Sequence, residues 1–186
     1  MYWWMLKFPG FLGVLGLFVF GCSTEYPTQK LGDYYSVDSL LESQIQYLLA
    51  SQASVQKTVM IGAEKQSRSF RPDSAEWRKE LTDFFELDPN HARDVNAFAD
   101  SSTAAGISLR RKEKGNGLQA LKIARTANGT VLGMNGELLQ TTEIYTNRRT
   151  LLMEFLEGKI QYYELRGFQK MILSDTVFFA VEVKIE

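Results

Sequence analysis

The chain has one cysteine and one histidine in 186 residues. A single histidine excludes any multi-histidine metal site and any histidine-based triad, because both need further partners in a fixed constellation. His91 follows a helix-ending Asp88-Pro89-Asn90 and reads as a capping or surface residue. A single cysteine excludes a disulfide within the chain. The formal net charge of −1 provides no basic excess for nucleic acid and no polybasic membrane patch. Arg110-Arg111-Lys112 and Lys114, interrupted by Glu113, read as a solvated strand face. Phosphate-cradling loops need a lysine and a following helix, and Gly115-Asn116-Gly117 has neither. There is no Gly-x-Ser-x-Gly elbow. Glu154 and Glu157 are separated by an odd offset, which on a strand sends them to opposite faces. Asn128-Gly129-Thr130 fits a glycosylation pattern but reads as a hairpin turn. No internal repeat, low-complexity run or second domain is visible, and nothing in the sequence implies a cofactor or a metal.

What the chain does have is an apolar run from Phe8 to Phe20 that ends on Gly21-Cys22. A secretory signal has a short positive start, here the amino terminus and Lys7, then an apolar middle and a small residue before the cut. The run falls short of the ~20 apolar residues that span a bilayer. Pro9, Gly10, Gly13 and Gly16 also make it a poor permanent helix. Val19-Phe20-Gly21-Cys22 resembles the lipobox of bacterial lipoproteins, with Phe20 bulkier than the residue usual at its position. The resemblance implies a lipid on the Cys22 sulfur, cleavage between Gly21 and Cys22, and acylation of the new amino terminus. The competing reading is an uncleaved signal anchor from Tyr2 to Gly21, with Trp3 and Trp4 at the membrane interface.

Three segments follow: a signal peptide over 1–21, an acylated cysteine with a flexible tether over 22–35, and one domain over 36–186. The polar tether, with Pro27 and Gly32, reaches ~40 Å when extended. Two or three acyl chains on Cys22 would make attachment effectively permanent, whereas one binds only marginally. Ser23 is not aspartate, and by resemblance to the enterobacterial sorting rule this implies the outer membrane of a bacterial envelope.

Within the domain, Ser36 caps a predicted helix from Val37 to about Ser51. Its apolar stripe is Val37, Leu40, Leu41, Ile45, Leu48 and Leu49. Ser54 to Phe70 predicts a hairpin turning at Gly62. Asp73 with Glu76 forms a capping box for a second helix from Ser74 to about Leu87, with Trp77, Leu81, Phe84 and Phe85 on its apolar face. Such a stripe is the usual core face of a helix on a sheet; the functional reading is a groove for an apolar ligand. Residues 91–105 are small and polar, with Val95 and Phe98 docking a short helical turn.

From Gly106 strands are predicted at 107–113, 118–126, 130–134, 138–146, 150–156, 159–166, 168–173 and 176–185. Asn116-Gly117, Asn128-Gly129 and Asn135-Gly136 mark turns between them. In 159–166 both faces are apolar, which calls for a bulge that switches register or a helix over the second side. Gly167 fits a bend. The expected fold is α+β: a curved antiparallel meander of about 7–9 strands packed against two amphipathic helices.

The mature chain also resembles uncharacterised envelope lipoproteins of Bacteroidota. The shared features are the lipobox, Asp33-Tyr34-Tyr35, Gln56-Lys57-Thr58-Val59, and Trp77 with Glu80-Leu81 and Phe84. That resemblance implies origin and envelope location and assigns no site. Three functions compete. The first is a non-catalytic envelope lipoprotein of binding or structural type, held by its lipid anchor and touching another envelope protein or a lipid. The second, by analogy with lipoprotein-sorting carriers, is a carrier or sensor of an apolar ligand lined by Trp77, Leu81, Phe84, Tyr162 and Phe178. The third is an enzyme using paired carboxylates. Nucleic acid is not among the expected partners.

Overall fold

The computed structural model describes residues 34–186, so the signal segment, Gly21, Cys22, Ser23 and most of the tether lie outside the described residues. Helix α1 spans Val37–Ala50. Ser36 has extended backbone, and its hydroxyl accepts from the Ser39 N–H at 3.1 Å, satisfying one of the donors that a helix start leaves open. Asp88 takes another, accepting from the Asp38 N–H at 2.9 Å. Val37, Leu41, Gln44, Ile45 and Leu48 are buried along one stripe. Full burial of each leucine or isoleucine stabilises by roughly 1.5–3 kcal/mol. Tyr34 and Tyr35, placed in the tether by the sequence, pack against the core, and the Asn90 side chain brackets their backbone.

The hairpin forms as expected, from β1 (Val55–Ile61) and β2 (Glu64–Phe70), with Gly62 at φ +58° in the turn. The second predicted helix is two pieces, α2 (Ser74–Glu80) and α3 (Thr82–Phe85). The Asp73–Glu76 capping box is complete in both directions. Helical geometry lapses at Leu81 (φ −97°, ψ 8°), where the Thr82 hydroxyl donates to the Arg78 carbonyl at 3.0 Å. Such back-bonding to the carbonyl four residues earlier competes with the helical ladder and bends it.

After one 3-10 turn (Ala92–Asp94) come β3 (Phe98–Asp100), β4 (Gly106–Arg111), β5 (Gly117–Arg125), β6 (Val131–Thr141), β7 (Tyr145–Leu156), β8 (Lys159–Met171) and β9 (Val177–Ile185). The nine strands among the described residues form one antiparallel sheet in the order β2-β1-β9-β8-β7-β6-β5-β4-β3. β3 to β9 are a meander, but the first hairpin joins the far edge. β1 pairs along β9, and Ser54 and Glu186 exchange two backbone bonds of 2.9 Å. The described chain is therefore an open antiparallel sheet with a few helices, weighted towards strand.

Three predicted breaks are absent. The one at 147–149 falls inside β7, the turn lying at 142–144 instead. Asn135-Gly136 lies inside β6, paired to Leu152 and Leu151 of β7, and β8 runs through Gly167. In both places glycine is required by close approach instead of by a turn. A Cβ on Gly136 would overlap the Leu87 methyls, one of them at 2.7 Å, and a Cβ on Gly167 would lie 2.7 Å from the Phe179 ring. The predicted double-sided apolarity of 159–166 resolves as a bulge. Glu154 pairs with Tyr162 but Phe155 pairs with Ile160, leaving Gln161 as the extra residue. Ile160 and Tyr163 thereby share the buried face, and Tyr162 turns to the other.

The three α-helices among the described residues cover one face of the sheet. α1 reaches the β7–β8 turn through Gln44, α2 reaches β1 through the Lys57–Glu80 pair at 2.6 Å, and α3 reaches β7 through Arg149. The Phe84 and Tyr163 rings meet edge to face at 5.6 Å at the centre of this layer.

Candidate functional site

Between the helical layer and the sheet lies a polar trough of about 510 Å³. One wall is built by Asp38 in the first turn of α1, by Phe85 and Glu86 at the end of α3, and by His91 and Arg93 in the segment that follows. The other wall and floor come from Asn116 and Gly117 at the start of β5, Leu138 to Gln140 of β6, and Arg149 of β7. The Asn116 side chain fixes the rim by exchanging two bonds with the Thr141 backbone, at 2.7 and 2.9 Å. Gly117, at φ +89°, holds a left-handed backbone that favours glycine, with the Arg93 guanidinium beside it.

The charges here are largely committed to one another. Arg149 is bonded to Asp83 and, at 3.2 Å, to Glu86. Asp88 is buried, accepts from the Asp38 and Asn90 N–H groups, and so already occupies the anion position that the start of α1 offers. Burial first, and then the Asp88 carboxylate, raise the Asp38 carboxyl above its ordinary range, with His91 pulling the other way. Among the described residues the Asp38 Oδ1 has no hydrogen-bond partner. Arg93 approaches the buried Asp94 at 3.5 Å, and Arg111 also pairs with Asp94. Arg111 thus departs from the solvated face expected for its cluster: it crosses to the 3-10 turn and stacks over Phe98 at 5.2 Å.

Among the described lining residues, Asp38, Glu86 and His91 carry the groups able to take or give a proton. No group of three or more His, Cys, Asp or Glu side chains gathers as metal ligands among the described residues. The trough presents guanidinium, carboxylate, imidazole and amide groups beside Phe85, Leu138 and Leu139.

The residues proposed from sequence as an apolar lining are not brought together. Trp77, Leu81 and Phe84 are at most 1 % exposed, packed between helices and sheet as core. Tyr162 and Phe178 lie on the opposite face, separated from them by the thickness of the sheet. The bulge at Gln161 turns Tyr162 outward, where its hydroxyl donates to Glu164 at 2.8 Å. Phe178 stands on the exposed phase of β9 beside Met60 and Arg166, over a shallow groove of about 320 Å³. A common wall for these five does not exist in this fold. Cys22 and Gly21, the proposed lipidation and cleavage residues, lie outside the described residues.

Sequence reasoning missed the trough and Gln44. Gln44 is buried, donates to the Gly158 carbonyl at 3.1 Å and accepts from the Ile160 N–H at 2.9 Å. Its position three residues after Leu41 and four before Leu48, on the buried stripe, was the available signal. The trough's groups come from positions 38, 86, 91, 140 and 149, and no local spacing connects them. Comparison with protein-family models, with curated proteins and with solved structures finds no match.

Proposed function

We propose that this chain is a non-catalytic binding protein of the bacterial envelope, held to a membrane through lipid on Cys22, that engages its partner at the trough beside Asp38, His91 and Arg149. The observation that carries the reading is what the fold leaves open. The space between helices and sheet is filled by Trp77, Leu81, Phe84 and Tyr163, and the adjoining opening is lined by paired charges and amides. Filled packing weighs against a carrier of apolar cargo, which needs an empty cavity there. The lipobox-like Val19 to Cys22 and the polar tether support the anchored location. We further infer that the sheet is curved, because the irregularities at Leu118/Ala120 and Glu154/Phe155 are of the kind that bends strands.

Site-specific photocrosslinking in cells tests the reading. A crosslinker at Gln140, on the exposed trough rim, yields a discrete adduct that Arg93→Glu abolishes, and the same group at Thr58 on the opposite face yields none. No adduct at Gln140, or equal adducts at both positions, contradicts it.

A further inference from the structure

Three turns at one end of the sheet carry apolar side chains into solvent. Leu173 is 98 % exposed, and Ile61, Ile144, Ile172 and Phe178 are each more than half exposed. The turns are joined to one another: the Gly62 N–H donates to the Phe178 carbonyl at 2.9 Å, and the Ile172 N–H to the Ile144 carbonyl at 3.1 Å. The strands here extend past the helices, so the sheet is uncovered on both sides. Ile61, Met171 and Val177 project from the face that elsewhere packs on helices; Phe168 and Phe178, paired across strands with rings 6.2 Å apart, project from the other.

We propose that this rim is a membrane-inserting edge, with Ile144, Ile172 and Leu173 entering the acyl boundary of the bilayer to which the chain is attached. It rests on the anchoring reading above only for which bilayer is within reach. Three observations select a bilayer as the occupant. The first is that the rim is apolar on both faces and at its tip. A partner protein buries one patch, whereas a surrounding apolar medium covers all sides of a projecting edge. The second is that several of the turn backbone groups are already bonded internally. Besides the links above, Thr142 N–H donates to Tyr145 and Ser174 N–H to Met171, and the Lys170 ammonium is held by the Ser174 carbonyl at 2.7 Å. Backbone groups entering an apolar phase must be satisfied within the protein. The third is reach: the tether between Cys22 and Tyr34 spans ~40 Å at most, which keeps the domain within contact of the anchoring surface. Glu143 and Asp175 beside the tips hold the insertion shallow, because a carboxylate is costly within hydrocarbon.

The test uses the full-length chain, extracted from membranes and returned to vesicles of phosphatidylethanolamine and phosphatidylglycerol. Leu173→Cys receives an environment-sensitive fluorophore, and Ala127→Cys, in the exposed β5–β6 turn at the opposite end of the sheet, is the control. The expected result is a blue-shifted emission at position 173 that spin-labelled lipid quenches and aqueous iodide does not, with the reverse at 127. High salt leaves the difference unchanged, since the rim carries no excess of basic charge. Water-like emission at 173 overturns the proposal. So does emission shielded from both quenchers, which signifies a protein contact, such as a second copy, in place of lipid. Intact mass on the same sample reads the anchor separately. If Cys22 is unmodified, the anchoring reading fails, and the depth measurement is made in a Cys22→Ser background added directly to vesicles. There, too, quenching by lipid supports insertion of the rim, and water-like or doubly shielded emission overturns it.

Discussion

Leu87 lies directly over Gly136, so that the turn after α3 touches the backbone of β6 with no side chain between them. Leu87 is fully buried, and its methyls cannot swing into solvent. Gly136→Ala is therefore expected to destabilise by about 1–3 kcal/mol through overpacking. Leu87→Ala alone opens a cavity and costs about 2–5 kcal/mol. Combined, the two changes cost less than their sum, because the new methyl partly fills the space that the leucine vacates. Urea unfolding of the four chains checks the coupling; strict additivity contradicts the contact.

Gln44 joins α1 to the β7–β8 turn by one donated and one accepted bond. Gln44→Leu preserves bulk but leaves the buried Ile160 N–H unpaired, at a cost of about 1–3 kcal/mol. Gln44→Glu retains the acceptor and loses the donor. Its deficit shrinks as acid protonates the new carboxyl, which can then donate to Gly158. Chemical denaturation at neutral and acid pH separates the two variants.

Much of the architecture was legible because its signals are local. Ser36 and the stripe of α1, the Asp73–Glu76 box, and the turn at Gly62 all announce themselves within a few residues. Asn135-Gly136 misled because the dipeptide that suits a tight turn also suits a strand position with no room for a Cβ. Only Leu87, distant in sequence, distinguishes them. Gly167 is the same case, set by the Arg148 carbonyl of β7 and the Phe179 ring. The pairing of β1 with β9, and the trough that gathers Asp38, His91, Gln140 and Arg149, arise from tertiary assembly and leave no periodic trace.

Tyr163 donates to Glu80 at 3.4 Å beneath the helices. Burial foremost, and then the Glu80 charge and this bond, raise its phenol well above the usual tyrosine range. The folded chain thus holds this proton more tightly than the unfolded chain. Its contribution is fully present below the ordinary value of 10.0 and is lost as pH rises beyond it. Stability is expected to fall above about pH 10, by up to about 1.4 kcal/mol per pH unit for one proton. Tyr163→Phe costs about 1 kcal/mol at neutral pH and flattens most of that alkaline slope. Burial also raises Tyr35 and Tyr162, which leave a residual slope. Denaturation midpoints across the alkaline range, with phenolate absorbance alongside, provide the check.

In the function proposed above, attachment to the envelope depends on Cys22 above any other residue. Intact mass spectrometry of the protein extracted from membranes, with Cys22→Ser as control, tests it directly. The expected species begins at Cys22 and carries the added mass of its acyl chains, and the Cys22→Ser chain lacks both the cleavage and the added mass. An unmodified chain beginning at Met1 would contradict the claim.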